Sequence, residues 1–188
     1  ITYLFCLFAI TSYAGTQNYI IGYGSLMNTK SRERTTPEAK KVYPLQVCGF
    51  KRAWDYRPSG IYGKLYRATF LGVTRASSEK TCLNAVFYPA NTKEIHKTDL
   101  REFTYERIKV PRHLLKGLYN HYLPKGNYWI YALKKGQPKA PTNEYPIMQS
   151  YVDIFISGCF EIGKQYHIKQ FAEQCVITTH GWDLKHWI

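Results

Sequence analysis

Acidic residues are scarce in this chain. Its 188 residues hold 13 Asp+Glu against 26 Lys+Arg, a formal charge of +13. Net charge speaks to association rather than fold, and this excess leaves nucleic acid, an anionic surface or small anionic substrates as partners. Metal-ligand spacing is missing too. The histidines are His96, His113, His121, His167, His180 and His186, with no HExxH among them. No CxxC occurs among the five cysteines, which excludes zinc-ribbon and thioredoxin-like sites. Long apolar runs are absent apart from the first ten residues, well short of the ~20 that a spanning helix needs, so a multi-pass membrane protein is excluded and no stable membrane span is expected. A nucleophile elbow requires Gly-x-Ser-x-Gly. Around Ser25 the glycines are Gly22 and Gly24, and Met27 stands where the last glycine belongs, so a serine hydrolase is not expected. No RNA- or DNA-binding signature, internal repeat or low-complexity tract is present.

What remains is ordinary globular material. Hydrophobic residues make up 45%, charged residues 21% and aromatics 16%, the last including 17 Tyr, which argues against a disordered chain. The length suits one domain with its own core. Residues 1–14 carry no charge, and Ser12-Tyr13-Ala14 sets small residues at −3 and −1 of a signal-peptidase site. Export of a single domain over residues 15–188 is the expectation, with an N-terminal strand as the alternative. Cys48, Cys82, Cys159 and Cys175 lie beyond that segment; an exported chain permits disulfides in any of three connectivities, and four buried thiols are the alternative.

Periodicity and punctuation predict a buried strand over residues 19–24, a helical turn over 26–34 entered through Ser25, one strand over 42–52, and strands over 65–74 and 82–88 joined by a hairpin loop at 75–80. Asn91 and Glu94 form a capping-box pattern ahead of a helix to about Arg101. Further strands are expected at 105–110 and 128–133. Met148, Val152, Phe155, Ile156, Cys159 and Phe160 recur at helical spacing, with Gly163 as the stop; Ile168, Phe171, Ala172 and Cys175 mark a second helix, which makes Cys159 and Cys175 candidate neighbours. Strands first and helices last predict an α+β fold with a mostly antiparallel or barrel-like sheet.

Three groups of residues suggest chemistry. Tyr23-Gly24-Ser25-Leu26 leaves a strand and turns on glycine, a place where backbone N–H groups can hold a carboxylate or an oxyanion. Glu102 sits at an element junction beside Phe103 and Tyr105, where partial burial would raise its pKa and suit it to general acid/base work. Basic clusters over residues 30–41 and 134–139, near Tyr128, Trp129 and Tyr131, could bind single-stranded nucleic acid by stacking and phosphate contact, although a solvated surface is the simpler reading. His180 and Asp183 form a weak pair near a helix end.

In chain order, Tyr23-Gly24-Ser25-Leu26, Gly49-Phe50-Lys51-Arg52-Ala53-Trp54, Asp99-x-x-Glu102-x-x-Tyr105-x-Arg107 and Trp129-Ile130-Tyr131 resemble segments of the γ-glutamylcyclotransferase and AIG2-like proteins. Leu100 and Phe103 depart from that pattern. The resemblance implies a small mixed β-barrel with flanking helices, extended by the helical segment 149–182. It implies cyclisation of a small γ-glutamyl amine or peptide to 5-oxoproline with release of the amine. In that reaction Glu102 is the catalytic acid/base, Tyr23, Gly24, Ser25, Leu26 and Tyr131 contact the substrate, and no metal or other cofactor is required. Arg107 is placed as structural, and no nucleic acid is expected. The alternative is an exported, non-catalytic binding protein on the same fold that recognises an anionic ligand or partner.

Overall fold

The computed structural model describes residues 16–34, 36–58, 65, 67–119 and 122–182. The expected signal segment and Asp183 lie outside these residues. β1 (Asn18–Gly22) leads through a 3-10 turn at Ser25–Met27 into α1 (Thr29–Glu33). Strands β2 (Tyr43–Cys48), β3 (Phe50–Tyr56), β4 (Phe70–Arg75) and β5 (Cys82–Ala90) follow. Then come α2 (Thr92–Arg101), β6 (Glu106–Lys109), β7 (Leu115–Gly117) and β8 (Asn127–Ala132). Helices α3 (Gln149–Gln165) and α4 (Phe171–Ile177) and the short strand β9 (Thr179–His180) complete the chain order.

A six-stranded mixed sheet runs β6-β8-β1-β5-β2-β7, and a three-stranded sheet runs β4-β3-β9. Among the described residues no pairing joins β6 to β7, so the expected closed barrel is replaced by two open sheets. The chain passes from one sheet to the other at Gly49. Its φ of 76° turns the chain sharply, and the single strand expected over residues 42–52 breaks there into β2 and β3, which belong to different sheets. The expected hairpin does not form either. β4 pairs with β3 while β5 pairs with β1 and β2, so residues 75–80 cross between sheets.

β5 is buried on both faces, and its alternation divides the interior into two layers. Val86, Tyr88 and Ala90 face a core shared with Ile20, Trp54, Leu71 and the helices. Leu83, Ala85 and Phe87 face a second core with Tyr19, Ile21, Leu45, Val47, Phe50 and Ile130. Each fully buried aliphatic or aromatic side chain there contributes about 1.5–3 kcal/mol relative to exposure.

The helices dock through polar contacts as well as apolar ones. Asn28, not Ser25, caps α1, accepting from the Ser31 N–H at 2.9 Å. The Asn28 amide also donates to Glu161 of α3 at 2.7 Å, and the Thr29 N–H donates to the same carboxylate at 2.9 Å. Gly158 permits this approach, because a Cβ there would fall 2.5 Å from the Asn28 nitrogen. Gly163 does not end α3, which continues to Gln165; the left-handed residue beyond it is His167. Disulfides join Cys48 to Cys82 across β2 and β5, and Cys159 to Cys175 between α3 and α4, settling the choice against free thiols. Each contributes about 2–4 kcal/mol in the loop-closure picture.

Two buried arginines hold the backbone where these elements converge. Arg52 on β3 has all five N–H donors engaged. Its Nε donates to Thr179 Oγ1 at 2.7 Å, and its Nη1 to the carbonyls of Tyr23 at 3.0 Å and Asn84 at 2.8 Å. Its Nη2 donates to Asn84 Oδ1, the Cys175 carbonyl and Thr178 Oγ1 at 2.9–3.0 Å. Arg32 is equally buried, donating to the carbonyls of Leu26, Met27 and Ala39, so one member of the expected basic surface cluster is a core residue. The proposed stacking platform is likewise mostly interior: Tyr128 and Tyr131 are buried.

Replacing Arg52 with Met takes the guanidinium from the carbonyls of Tyr23, Asn84 and Cys175; Cys175 keeps the Thr179 hydroxyl as a donor, and each carbonyl left unmet costs about 1–3 kcal/mol. We expect urea unfolding of Arg52→Met to show a loss of about 3–5 kcal/mol; a loss below about 1 kcal/mol would contradict this account. Burial also raises the Asp55 carboxyl to about 6, against the opposing pull of Lys51. An acid with a raised folded pKa loses stability as pH rises through the interval between its unfolded and folded values, here about 3.8 to 6. Asp55→Asn should therefore be more stable than wild type at pH 8 by about 1–2 kcal/mol, below the ~3 kcal/mol of a fully buried group because solvent screens this partly exposed carboxyl, with the gap closing towards pH 4 in thermal melts.

Candidate active site

The segment that leaves β1 and the end of α2 meet at one cavity. Its narrow inner end, about 40 Å³, is lined by Tyr23, Gly24, Ser25, Leu26, Glu102, Tyr105, Tyr131 and Tyr151, among others. An outer chamber of about 660 Å³ opens from it, and Ser25, Glu102, Tyr105 and Tyr151 line both spaces. All six residues singled out from the sequence therefore border the inner end.

Glu102 owes its place to α2. The capping box closes in full: the Glu94 N–H donates to Asn91 Oδ1 at 3.0 Å, and the Asn91 N–H donates to Glu94 Oε2 at 2.6 Å. At the other end Glu102 is the C-cap, its N–H donating to the Thr98 carbonyl at 2.8 Å. Asp99 anchors this last turn by accepting from the Tyr131 hydroxyl on β8 at 2.8 Å and pairing with Arg107 on β6 at 3.4 Å. Arg107 thus has the structural setting expected of it; its guanidinium also lies over the Trp129 ring, 4.7 Å from the centroid.

The Glu102 side chain is 18% exposed, within the cavity wall rather than the packed core. Burial raises its pKa, while Arg101, whose Nε lies 3.0 Å from Oε1, pulls it down. Burial has the same upward effect on Tyr23, Tyr56, Tyr105, Tyr131 and Tyr151, so these phenols stay neutral at ordinary pH. The site is one partly buried carboxyl, paired with Arg101, among neutral hydroxyls.

Several of those hydroxyls are already engaged. Tyr23 donates to the Tyr131 carbonyl at 2.7 Å, and Tyr131 donates to Asp99, so Tyr131 borders the inner end with its hydroxyl already bonded to a carboxylate. Tyr56 shares a hydrogen bond with Thr104 at 2.8 Å. Tyr151 hydrogen-bonds to Ser25 through both side chain and backbone. At the start of the 3-10 turn the N–H groups of Ser25 and Leu26 have no acceptor within the turn, while that of Met27 donates to the Gly24 carbonyl at 3.0 Å.

Sequence reasoning assigned no role to Tyr105 or Tyr151. Tyr105 stood inside a quoted motif, but Tyr151 carried no signal, because only the docking of α3 on the Asn28 segment brings it to Ser25. Among the described residues no cluster of three or more His, Cys, Asp or Glu could hold a metal ion, and no helix is long and apolar enough to cross a membrane.

No family model matches the chain, and no curated protein sequence does. Solved structures do. A γ-glutamyl cyclotransferase superposes with a TM-score of 0.62 at 14% identity, over 89% of this chain and 91% of its own. The uncharacterized human protein loc79017 does so with a TM-score of 0.61 at 14% identity, over 90% and 92%. YkqA from Bacillus subtilis gives a TM-score of 0.61 at 13% identity over 88% of this chain, which spans only 55% of YkqA. With its two mixed sheets and flanking helices, the chain has the fold of the γ-glutamyl cyclotransferase-like proteins.

Proposed function

We propose that this protein cyclises a γ-glutamyl amine or peptide to 5-oxoproline and a free amine, with Glu102 as the acid/base. The observation that carries this reading is a partly buried carboxyl of raised pKa in a cavity wall shared with Tyr23, Gly24, Ser25 and Leu26.

The chemistry needs little else. The substrate's α-amine attacks its own γ-carbonyl carbon, forming the ring C–N bond. The attack is intramolecular, so proximity supplies much of the rate and no external nucleophile takes part. Glu102 accepts the proton leaving the attacking nitrogen. The tetrahedral intermediate then collapses, the original amide C–N bond breaks, and Glu102 returns the proton to the departing amine. A buried carboxyl suits both duties, because a raised pKa brings the acid and base forms closer in energy at working pH. The backbone of the Tyr23–Leu26 segment would hold the α-carboxylate or the developing oxyanion. The neutral tyrosines supply a wall that excludes water without adding competing charge.

Incubation with a panel of γ-glutamyl compounds should yield 5-oxoproline, and Glu102→Gln should lower kcat by about 10²–10⁴-fold. Equal rates for the two proteins would remove Glu102 from the mechanism, and no product from any compound would favour the binding-protein alternative. The base form of Glu102 is lost below its pKa, so kcat/KM should fall on the acid side at a midpoint above the ~4.3 of an ordinary glutamate. Arg101→Gln removes the charge that opposes the rise, and the acid limb should then move further upward; a limb that stays still or moves down would contradict this assignment.

A further inference from the structure

We propose that the outer chamber is a subsite for the departing amine and that it selects a large apolar or aromatic amine component over a small or charged one. The inference rests on the cyclisation reading, because it takes the reacting γ-amide to lie beside Glu102 and Ser25.

Those two residues line both the narrow inner end and the wide outer chamber, so they mark the junction. The γ-glutamyl head is the part that must reach the Tyr23–Gly24–Ser25–Leu26 segment. The inner end holds only about 40 Å³, so most of the head shares the outer chamber's about 660 Å³ with whatever is attached beyond the γ-amide. That volume is within the ~300–1,000 Å³ of small-molecule pockets and far exceeds what a methyl or glycyl group would fill.

The walls identify the chemistry. Tyr56, Phe70, Leu100, Phe103, Met148 and Tyr151 provide aromatic and aliphatic surface around the chamber. Phe70 and Tyr151 already meet edge to face, with centroids 5.4 Å apart, an arrangement that a further ring can extend. Leu100 is 64% exposed and Phe103 60% exposed, one on each side of Arg101-Glu102, so much of the surface of two large apolar side chains is open to solvent beside the chamber. An apolar ligand would cover them; a charged one would not. Among the described lining residues Arg101 is the cation, and its guanidinium is paired with Glu102 at 3.0 Å. A free carboxylate on the departing amine would therefore compete with the catalytic carboxyl for its own partner, which disfavours glutathione-like substrates.

The test compares γ-glutamyl-phenethylamide, γ-glutamyl-methylamide and glutathione on the whole protein. 5-Oxoproline is the kinetic readout, and calorimetric binding to Glu102→Gln is a second readout that needs no turnover. We expect kcat/KM for the phenethylamide to exceed that for the methylamide by at least ~10-fold, since a single methylene in an apolar pocket is worth ~10–200-fold. Phe103→Ala should bring that ratio towards one. Leu100→Ala, at an equally exposed position, should shrink it too and guards against misfolding of the first variant. Product formation with a ratio of one or below, or a preference for glutathione, overturns the subsite and leaves the cyclisation reading standing. No product together with selective binding of the phenethylamide upholds the apolar selectivity of the chamber but overturns the cyclisation reading and, with it, the departing-amine role. Neither product nor selective binding overturns both.

Discussion

A single guanidinium joins the parts of this fold. Arg52 reaches the Tyr23 carbonyl after β1, both the main chain and the side chain of Asn84 on β5, and the end of α4 at Cys175, Thr178 and Thr179. Burying a charge is costly unless its bonds are met. Among the described residues no carboxylate does so. Oriented carbonyls and hydroxyls replace water, including the Cys175 carbonyl in the last turn of a helix, where the backbone dipole is negative. The Phe155 ring closes one side of the guanidinium, 4.9 Å from its carbon. Such a charge tolerates few alternative arrangements of its acceptors, so the segment at Tyr23, the central strand and the last helix are placed relative to one another.

The helical segment beyond residue 148 is therefore part of the site's construction. The Cys159–Cys175 disulfide holds α3 to α4, α4 presents acceptors to Arg52, and α3 delivers Tyr151 to Ser25. Arg32 secures the next part of the same segment at Leu26 and Met27. The cavity wall is thus braced from two sides by cations that never meet the cavity lining's carboxyl, and Glu102 is affected chiefly by burial and by its neighbour Arg101. That separation lets one protein be strongly basic overall and still keep a carboxyl of raised pKa.

Much of this was legible in the residues. The capping box at Asn91 and Glu94 carries its own geometry, and α2 ends where the pattern predicted, with Glu102 at the junction. β5 and β8 follow from their apolar and aromatic runs. The breaks in the reading have physical causes. Gly49 sits inside an apolar run, and nothing local reveals that its left-handed conformation sends the two halves to different sheets. A sequence-adjacent pair such as β4 and β5 invites a hairpin, yet each found a better partner elsewhere. The expected stop at Gly163 lies inside α3, close to Ile168 and Phe171, and the left-handed residue beyond the helix is His167.

The sequence by itself determined most of the element types, the basic surplus, the lack of metal-ligand spacing and the candidates Tyr23, Gly24, Ser25, Leu26 and Glu102, since these depend on local propensity, composition and short spacing; Tyr131 comes in only through the family resemblance. Only the tertiary structure decided that the sheets stay open, that Arg32 and Arg52 are interior, that Tyr105 and Tyr151 complete the cavity and that the Tyr131 hydroxyl is held by Asp99. Those outcomes depend on which distant surfaces bury one another, and burial is a property of the assembled molecule, not of any segment within it.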